Sequence, residues 1–319
     1  MVTTMHAVRA HRRGGPEQLH YELAPRPVPD PGEALVAVRA ASVTAGELYW
    51  DATWTDSFDG SGRDRTPTIP SHEVSGVVAE VGPGVITPRV GDAVYALIPF
   101  VHDGAAAEFV TLPAGILAPK PRRIDHDAAA SVPLAALTVW QALARHAGVT
   151  PGRHVLVHGA AGGVGSFAVQ IAAALGARVT ATAAARDAGF VAALGAERVV
   201  DYAGSRFEDE VTDVDVVFDA VGGDTQDRSW SVLRPGGLLV SIVSPPDPES
   251  ARAHGARGVF FVVEPDRAGL EAVSRLIDGG KLTPRVDRVV PLAETRAAYE
   301  ALEHEHRRGK VVIHVADGV

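Results

Sequence analysis

The segment His154-Val-Leu-Val-His-Gly-Ala-Ala-Gly-Gly-Val-Gly165 joins an apolar run to a glycine-rich turn. Four apolar residues, Val164, Ala168, Ile171 and Leu175, then repeat along one face of a helix. Glycines let the backbone approach a pyrophosphate closely, and a helix N-terminus presents free N–H groups and partial positive charge. The spacing is G-x-x-G-x-x-G rather than G-x-G-x-x-G, but its position between a strand and a helix predicts a dinucleotide-binding site.

The end of the next strand, Arg178–Thr182, indicates which dinucleotide binds. An NAD site places an acidic residue about 20 residues beyond the turn, where it binds the ribose 2′-OH. Here Thr182 and Ala183 occupy that position and Arg186 follows. Since a carboxylate repels a 2′-phosphate and an arginine pairs with one, this pattern predicts NADPH. The alternative is that Arg186 is solvated and Asp187 reaches the ribose.

Strands and helices alternate around this motif, which predicts an α/β unit with a doubly wound parallel sheet and crossover helices. An Ala- and Leu-rich helical stretch, Ala128–Ala147, which Pro133 interrupts near its start, precedes the alternation. The predicted strands are His154–His158, Arg178–Thr182, Val214–Asp219 and Leu238–Val243, and the predicted helices are Val164–Leu175, Ala188–Leu194 and Asp224–Leu233.

The first 120 residues instead contain short β-type runs separated by Pro and Gly, which predicts a barrel-like β unit. A polar segment, Ser57–Arg65, is predicted to be a mobile loop. We therefore expect a β domain over residues 1–122, a dinucleotide-binding domain over 123–284 and a return to the first domain over 285–319. The predicted strands are Glu33–Arg39, Val74–Val81, Asp92–Ile98, Ala107–Thr111, Val286–Val290 and Lys310–Val315, with a helix at Ala293–Glu303.

The 319 residues carry a net charge of −9, from 30 basic and 39 acidic residues, and no cysteine. The missing cysteine excludes disulfides, a cysteine nucleophile and thiolate-bound metals. The acidic balance argues against a general nucleic-acid binder. No run reaches the ~18 apolar residues of a membrane helix, and the segment Met1–Gly15 lacks the apolar core of a signal peptide. These features predict a soluble cytoplasmic protein.

Eight segments, in this order, resemble the medium-chain dehydrogenase/reductase superfamily, in its zinc-independent quinone oxidoreductase (zeta-crystallin-like) branch. The resemblance covers essentially the whole chain and implies a GroES-like β-barrel domain plus a Rossmann domain, with the active site between them. The segments are Ala41–Glu47, Ile69–Gly76, Val90–Val94, Pro133–Trp140, Gly159–Gly165, Val216–Gly223, Arg234–Gly237 and Gly309–Val312.

Relatives that use zinc bind it with a Cys in the first of these segments and the His of a G-H-E motif. In this chain His72 and Glu73 match that motif, with Ser71 in place of the Gly, but residues 41–47 contain no Cys. Catalytic zinc normally takes three protein ligands, so we predict no metal site, with an oxygen/nitrogen site formed by His72, Glu47 and Glu73 as the alternative. His72 is then a candidate catalytic residue, or alternatively a hydrogen-bonded structural residue at the cleft floor.

Without a Lewis acid, the chemistry most compatible with hydride transfer is reduction of a quinone or an α,β-unsaturated carbonyl. By resemblance, Thr44 stands where many relatives carry an Asn beside the nicotinamide, and Glu47 where they carry an Asp. Tyr49, Trp50 and Trp54 are candidates to line the substrate pocket, or alternatively to pack in the core.

The resemblance also implies the cofactor contacts, which run from the nicotinamide side at Thr138 to the adenosine side at Tyr202. Lys310 is included, with a solvated edge charge as its alternative, whereas Arg307 and Arg308 are interpreted as part of a solvated run. The predicted cofactor-binding residues are Thr138, Ala161, Gly162, Gly163, Val164, Thr182, Ala183, Arg186, Tyr202, Val221, Val243, Phe261, Val263 and Lys310.

Three functions stay open from the sequence. The chain is an NADPH-dependent reductase of quinones or enones, a reductase of the same fold acting on an aldehyde or secondary-metabolite intermediate, or a non-catalytic NADPH-binding protein. The apolar segment Val259–Val263 near the end of the sheet also predicts a homodimer, because an exposed edge strand invites pairing across a two-fold axis.

Overall fold

The computed structural model describes residues 3–56, 61–305 and 307–317. Residues 57–60 of the predicted mobile loop lie outside the described part, while Asp64, near its end, forms an isolated bridge with Thr55. The strands, in chain order, are β1 (Thr4–Ala10), β2 (Leu19–Pro25), β3 (Glu33–Val43), β4 (Glu73–Val81), β5 (Ala93–Leu97), β6 (Phe109–Pro113), β7 (Ala118–Pro119), β8 (His154–His158), β9 (Arg178–Ala183), β10 (Arg198–Asp201), β11 (Val214–Asp219), β12 (Leu233–Ser241), β13 (Arg257–Phe260), β14 (Val286–Pro291) and β15 (Lys310–His314). The helices are α1 (Asp51–Trp54), α2 (His126–Ala130), α3 (Pro133–Trp140), α4 (Gly165–Ala174), α5 (Ala188–Ala193), α6 (Gly223–Ser229), α7 (Pro248–Ala253), α8 (Arg267–Asp278) and α9 (Thr295–His304).

The strands β8 to β13 form a parallel sheet in the order β10-β9-β8-β11-β12-β13. The chain starts this sheet in the middle with β8, builds outward to β10, and then crosses to the other side. This is the doubly wound arrangement predicted from the sequence, and the predicted bounds of β8 and β11 are correct. The carboxyl ends of β8 and β11 meet at the switch point, which is where such sheets bind their ligands.

The predicted helix Ala128–Ala147 is divided in the structure. The short helix α2 is followed by α3, which begins with Pro133, and by a π-helix at Gln141–His146. A proline is favourable in the first turn of a helix but removes a backbone donor further inside, so Pro133 begins a new helix. This break places the N-terminus of α3 beside the first domain.

The other sheet has seven strands, in the order β14-β15-β3-β4-β5-β7, with β6 paired to β3. Its last two strands come from the C-terminus: β15 runs antiparallel to β3, and β14 runs parallel to β15. The C-terminal segment therefore joins the β domain after the chain has completed the parallel sheet. The expected domain boundaries at residues 122 and 284 stay predictions.

Within the described ranges, no helix is long and apolar enough to cross a membrane. The strand β13 lies at the edge of the parallel sheet, which confirms the edge position predicted for Val259–Val263. The strand itself covers Arg257–Phe260, so residues 261–263 lie beyond it.

Candidate active site

The glycine-rich turn between β8 and α4 has no space for side chains. Gly159 adopts φ +72°, in the region that favours glycine, and a Cβ on Gly165 would lie 2.1 Å from the Gly159 carbonyl oxygen. A Cβ on Gly163 would lie 3.1 Å from Cδ of Lys310. This close-packed turn opens the N-terminus of the ten-residue helix α4, so the predicted residues Ala161, Gly162, Gly163 and Val164 fit a bound pyrophosphate.

Next to the turn, Thr182 forms hydrogen bonds with residues of the protein itself. Its hydroxyl lies 2.9 Å from Nδ1 of the buried His158, whose Nε2 lies 3.0 Å from Oγ of Ser229. Burial lowers the pKa of His158 to about 4, so the ring is neutral and connects the two hydroxyls. The carbonyl of Thr182 accepts the N–H of Ala160. The structure therefore places the Thr182 side chain under the turn, away from the predicted cofactor contact.

The end of β9 carries two arginines and one acidic residue. The side chain of Asp187 is 1% exposed, and its Oδ1 accepts from Nε of Arg308 at 2.6 Å. A second N–H of Arg308 donates to the Arg186 carbonyl at 2.7 Å, while the Arg186 side chain is 64% exposed. The interpretation of Arg308 as a solvated charge is therefore wrong. The alternative that Asp187 reaches the ribose is also disfavoured, because its carboxylate is buried against Arg308.

Two other predicted residues lie at the same end of the sheet. Ala183 ends β9 and is buried, and its carbonyl accepts from the N–H of Tyr202 at 3.3 Å. The ring of Tyr202 is largely exposed just beyond β10. The structure thus brings Ala183, Tyr202 and Arg186 together, which is compatible with the adenosine end of a dinucleotide.

The predicted nicotinamide side is formed by loops after β11 and β12. Asp219 ends β11 and accepts the N–H groups of Val221 and Gly222, both at 2.9 Å. A Cβ on Gly222 would lie 2.9 Å from Cγ1 of Val243, so the two loops are in contact. Val221 and Val243 are both about half exposed and lie side by side at the carboxyl ends of the strands.

Three further predicted residues are more enclosed. Phe261 lies beyond β13, with its ring 4.7 Å from that of His146. Val263 is buried in the core of the parallel-sheet domain. Thr138 is also buried, and its hydroxyl donates to the Leu134 carbonyl at 2.7 Å within α3.

A buried cluster connects the two domains at Lys310. This side chain is 6% exposed and forms an ion pair with Glu73, while its Nζ also donates to Oγ1 of Thr44 at 3.0 Å. The other oxygen of Glu73 accepts the N–H of Leu134 at 2.9 Å, at the N-terminus of α3. Because its stem lies against Gly163, Lys310 joins the glycine-rich turn to the β domain. The alternative of a solvated edge charge is wrong.

A second buried cluster surrounds Glu47. The carboxylate accepts from Nδ1 of His72 at 2.6 Å, from the N–H of Ser71 at 2.8 Å and from the Tyr299 hydroxyl at 2.6 Å. Burial by itself raises the pKa of Glu47, but these hydrogen bonds and the His72 charge outweigh it and lower the pKa. Burial and the neighbouring carboxylate raise the pKa of Tyr299, which stays a neutral donor.

The position of Ser71 explains why relatives carry Gly there. Its φ is +74°, a left-handed conformation that is unfavourable for residues with a Cβ. His72 follows with 2% exposure, and its Nε2 donates to the His102 carbonyl at 3.3 Å. Both ring nitrogens are therefore used inside the protein, and this geometry favours the structural alternative for His72 over a catalytic contact.

The donor set does not fit a catalytic zinc ion. The described part of the chain contains no group of three His, Cys, Asp or Glu side chains that could hold a metal. Glu47 is bound to His72, and Glu73 is bound to Lys310, so the acidic residues near the motif already have partners. The chain has no cysteine to supply the thiolate.

A cavity of about 360 Å³ opens beside Thr44. Of the three candidate aromatic residues, Tyr49 lines this cavity and is 67% exposed. Trp50 packs edge-on against Phe100 at 5.3 Å, and Trp54 is buried with its Nε1 donating to the Leu48 carbonyl. The lining residues are Thr44, Ala45, Gly46, Leu48, Tyr49, Tyr299 and Leu302. The site assignments stay predictions, but this cavity is next to the Lys310 cluster.

Comparison with known proteins agrees with this architecture. The family described as alcohol dehydrogenase GroES-like domain matches residues 30–122, and the family described as zinc-binding dehydrogenase matches residues 194–313. The chain is 32% identical over 317 residues to a probable zinc-binding oxidoreductase of Arthroderma benhamiae, with 93% of each chain covered. The chain belongs to the medium-chain dehydrogenase/reductase superfamily, in its zinc-independent quinone oxidoreductase-like branch.

Two further members of this superfamily are informative. The NADPH-dependent alkenal/one oxidoreductase of Arabidopsis thaliana is 35% identical, over 78% of this chain and 64% of its own length. The solved structure of the quinone oxidoreductase from Coxiella burnetii has a TM-score of 0.89 and 31% identity, covering 98% of this chain and 100% of its own. The GroES-like plus Rossmann fold predicted for this oxidoreductase is confirmed, and a nicotinamide cofactor is supported.

The predicted cytoplasmic location is wrong by the same comparison. The Arthroderma relative is described as mitochondrial, and so are the NAD(P)H oxidoreductases from zebrafish, mouse and human that match at 30% identity over about nine-tenths of this chain.

Proposed function

We propose that this oxidoreductase uses NADPH to reduce quinones or α,β-unsaturated carbonyl compounds. The observation that carries the proposal is the position of the Thr44 hydroxyl, which lines an open cavity and accepts a hydrogen bond from Lys310. No described group of metal ligands supplies a Lewis acid there. Relatives described as an alkenal/one oxidoreductase and a quinone oxidoreductase support the same substrate class.

The chemistry divides between cofactor and protein. When bound, the nicotinamide supplies the hydride, and the protein orients the substrate and stabilises the charge that develops on its oxygen. The Thr44 hydroxyl oxygen accepts a hydrogen bond from the Lys310 ammonium at 3.0 Å. The same hydroxyl donates a longer hydrogen bond, of 3.3 Å, to the Glu73 carboxylate. A substrate oxygen in the cavity can replace that weak acceptor and receive the Thr44 hydrogen bond. The ammonium polarises the hydroxyl, which strengthens this donation.

Tyr49, Leu48 and Leu302 give the cavity its apolar side. An exposed tyrosine ring beside the Thr44 loop offers a planar surface against which a quinone ring can stack. Trp50, the next residue, packs edge-on against Phe100.

The test is a turnover panel of NADPH and NADH against quinones, enones and aldehydes. We expect NADPH oxidation with quinones or enones and little with aldehydes, because no metal polarises an isolated carbonyl. Reduction of aldehydes alone would support the alternative substrate class. Cofactor binding without oxidation of NADPH by any acceptor would support a non-catalytic role.

The preference for NADPH over NADH belongs to this proposal, with Arg186 as the residue at the 2′-phosphate. Its side chain is exposed at the end of β9, and Asp187 beside it is neutralised by Arg308. We expect Arg186→Ala to weaken NADPH binding and leave NADH binding unchanged. Equal loss for both cofactors would contradict the role of Arg186.

We also propose a homodimer formed through β13. This strand lies at the edge of the parallel sheet, and Phe260 and Val262 beside it are about half exposed. Light scattering should give twice the chain mass for the wild type and a monomer for Phe260→Lys. A monomeric wild type at micromolar concentration would exclude this interface.

A further inference from the structure

The C-terminal segment contributes an arginine to the adenosine end of the cofactor site. Arg308 reaches from the β domain to the end of β9, where its Nε contacts Asp187 at 2.6 Å and its Nη2 contacts the Arg186 carbonyl at 2.7 Å. Two residues further on, the stem of Lys310 lies against Gly163 in the glycine-rich turn. One short stretch of chain therefore lies along both phosphate-facing parts of the predicted cofactor groove.

Arg308 retains hydrogen-bonding capacity in this position. An arginine has five N–H donors in its side chain, and the two contacts above use two of them. Among the residues that the structure describes, no acceptor contacts the other three. The side chain is 47% exposed, and its guanidinium lies 5.8 Å from the ring centre of Phe190 on α5. The Arg308 guanidinium is thus held by Asp187 and the Arg186 carbonyl on one side, and its other side faces solvent. An arginine in this position can form charge-assisted hydrogen bonds with a phosphate.

The local charge also changes when Arg308 is included. Asp187 by itself would repel a phosphate at the end of β9. The buried contact with Arg308 neutralises this carboxylate, and the exposed guanidinium of Arg186 adds a further positive charge. The exposed guanidinium groups of Arg186 and Arg308 therefore face solvent at the end of β9, while a second carboxylate, Asp287, accepts the backbone N–H of Arg308 at 3.3 Å.

We propose that Arg308 binds the 2′-phosphate of NADPH together with Arg186, and that Asp187 is a positioning residue that directs the Arg308 guanidinium. The proposal rests on the proposed function, because it takes the adenosine ribose to lie at the carboxyl end of β9. The 2′-phosphate is then recognised by one arginine from each domain, so NADPH connects the two domains in a way that NADH does not.

The experiment uses the full chain and two nucleotide fragments that differ only at the ribose. Calorimetry measures the dissociation constants of 2′,5′-ADP and 5′-AMP for the wild type and Arg308→Gln. We expect the variant to bind 2′,5′-ADP about tenfold more weakly and 5′-AMP within twofold of the wild type. Arg296→Gln is the matched control, because it removes one arginine from an exposed ion pair with Glu300, and it should change neither constant.

A second variant separates this role from a structural one. Arg308→Gln leaves the Asp187 carboxylate without its arginine, so the remaining charge should itself repel the phosphate. The double variant D187N/R308Q should recover at least threefold of the lost 2′,5′-ADP affinity with 5′-AMP unchanged. This variant also removes the buried carboxylate that Arg308 contacts, so it keeps the test informative if Arg308→Gln unfolds. It should then still bind 2′,5′-ADP more weakly than the wild type.

The outcomes distinguish this proposal from the proposed function. If the wild type prefers 2′,5′-ADP and Arg308→Gln keeps that preference, the role of Arg308 is wrong and the NADPH preference stands. Equal losses for both fragments would make Arg308 structural. If the wild type binds the two fragments equally, the NADPH preference fails and the Arg308 proposal fails with it.

Discussion

Two buried carboxylates, Glu47 and Glu73, lie in clusters that contain neighbouring residues of the chain and have different surroundings. His72 and Glu73 are neighbours, and successive residues of an extended chain point in opposite directions. His72 points into the β domain, where it meets Glu47 and Tyr299. Glu73 points to the boundary between the two domains, where it meets Lys310 of β15 and the N-terminus of α3.

The difference lies in what each cluster can contact next. The Glu47 cluster is enclosed, because its carboxylate has three donors and the His72 ring is bound at both nitrogens. Each cluster has one residue in the lining of the cavity, but the Tyr299 hydroxyl is buried against Glu47, whereas Thr44 is partly exposed. His72 and Glu73 thus belong to two different clusters, and the Thr44 hydroxyl of the Glu73 cluster is the more accessible hydrogen-bonding group.

Removal of Lys310 should have the largest effect. Lys310→Met leaves Glu73 buried without its cation, which costs about 3–5 kcal/mol of unfolding free energy. It should also lower kcat/KM more than tenfold, because Thr44 loses its polarising donor. Lys310→Arg is the control that keeps the charge and should retain most of the stability. Denaturant unfolding and steady-state kinetics measure the two effects. An unchanged free energy of unfolding in Lys310→Met would contradict the buried ion pair between Lys310 and Glu73.

As the pH is lowered, the free energy of unfolding should decrease in two stages. The pKa of His158 is lowered from 6.5 to about 4 by burial, so its contribution is complete above about pH 6.5 and is lost as the pH falls toward 4. This stage amounts to as much as about 3 kcal/mol. The pKa of Glu47 is also lowered, so a second loss begins as the pH falls below the ordinary Glu value of 4.5.

Glu47→Gln should remove the second stage and leave the first. Urea unfolding at a series of pH values would show this. A variant with both stages intact would mean that another carboxylate is responsible for the acid-side loss.

At neutral pH, Glu47→Gln should lower the unfolding free energy by about 2 kcal/mol, because one buried charged acceptor is lost. At temperatures where the variant is folded, its kcat should stay within about twofold of the wild type, since neither Glu47 nor His72 lines the cavity. Thermal melting and steady-state turnover check both statements. A large loss of kcat in a fully folded variant would place this cluster in the catalytic site.

Thr44→Val should have the smallest energetic effect, a decrease in kcat of about tenfold, or about 1.4 kcal/mol. The hydroxyl is absent while the shape of the side chain is nearly kept, and Lys310 retains Glu73 as its partner. Thr44→Ser should recover most of the activity. An unchanged kcat in Thr44→Val would mean that another group donates to the substrate oxygen.

The local sequence was sufficient for the elements that depend on periodicity and turn chemistry. The bounds of β8 and β11 were predicted correctly, and the glycine-rich turn lies where the spacing placed it. Pro133 was recognised as an interruption, but the π-helix after α3 has no distinctive signal in the residues Gln141–His146. The edge position of β13 was also predicted, because an apolar strand that ends the alternation has a neighbour on one side only.

Side-chain partners distant in sequence could not be predicted in this way. Lys310 is 237 residues from Glu73, and Arg308 is 121 residues from Asp187. Both arise because the C-terminal segment returns along β3, which no local pattern specifies. A signal did exist for Arg308: it lies two residues before Lys310, which the resemblance placed beside the cofactor. The charges around it obscured this signal and made the segment resemble a solvated helix end.

By itself, the sequence determined the classes of chemistry that this protein can perform. The absence of cysteine and the form of the glycine-rich turn exclude a thiolate zinc site and predict a dinucleotide, because these depend on residue identity and on local backbone geometry. Tertiary structure alone decided that Thr182 supports the turn, that His72 is enclosed, that Lys310 lies against the glycine-rich turn and that Arg308 contacts Asp187. The physical reason is that burial and ion pairing depend on which surfaces meet, and here the surfaces meet only when both ends of the chain form one sheet.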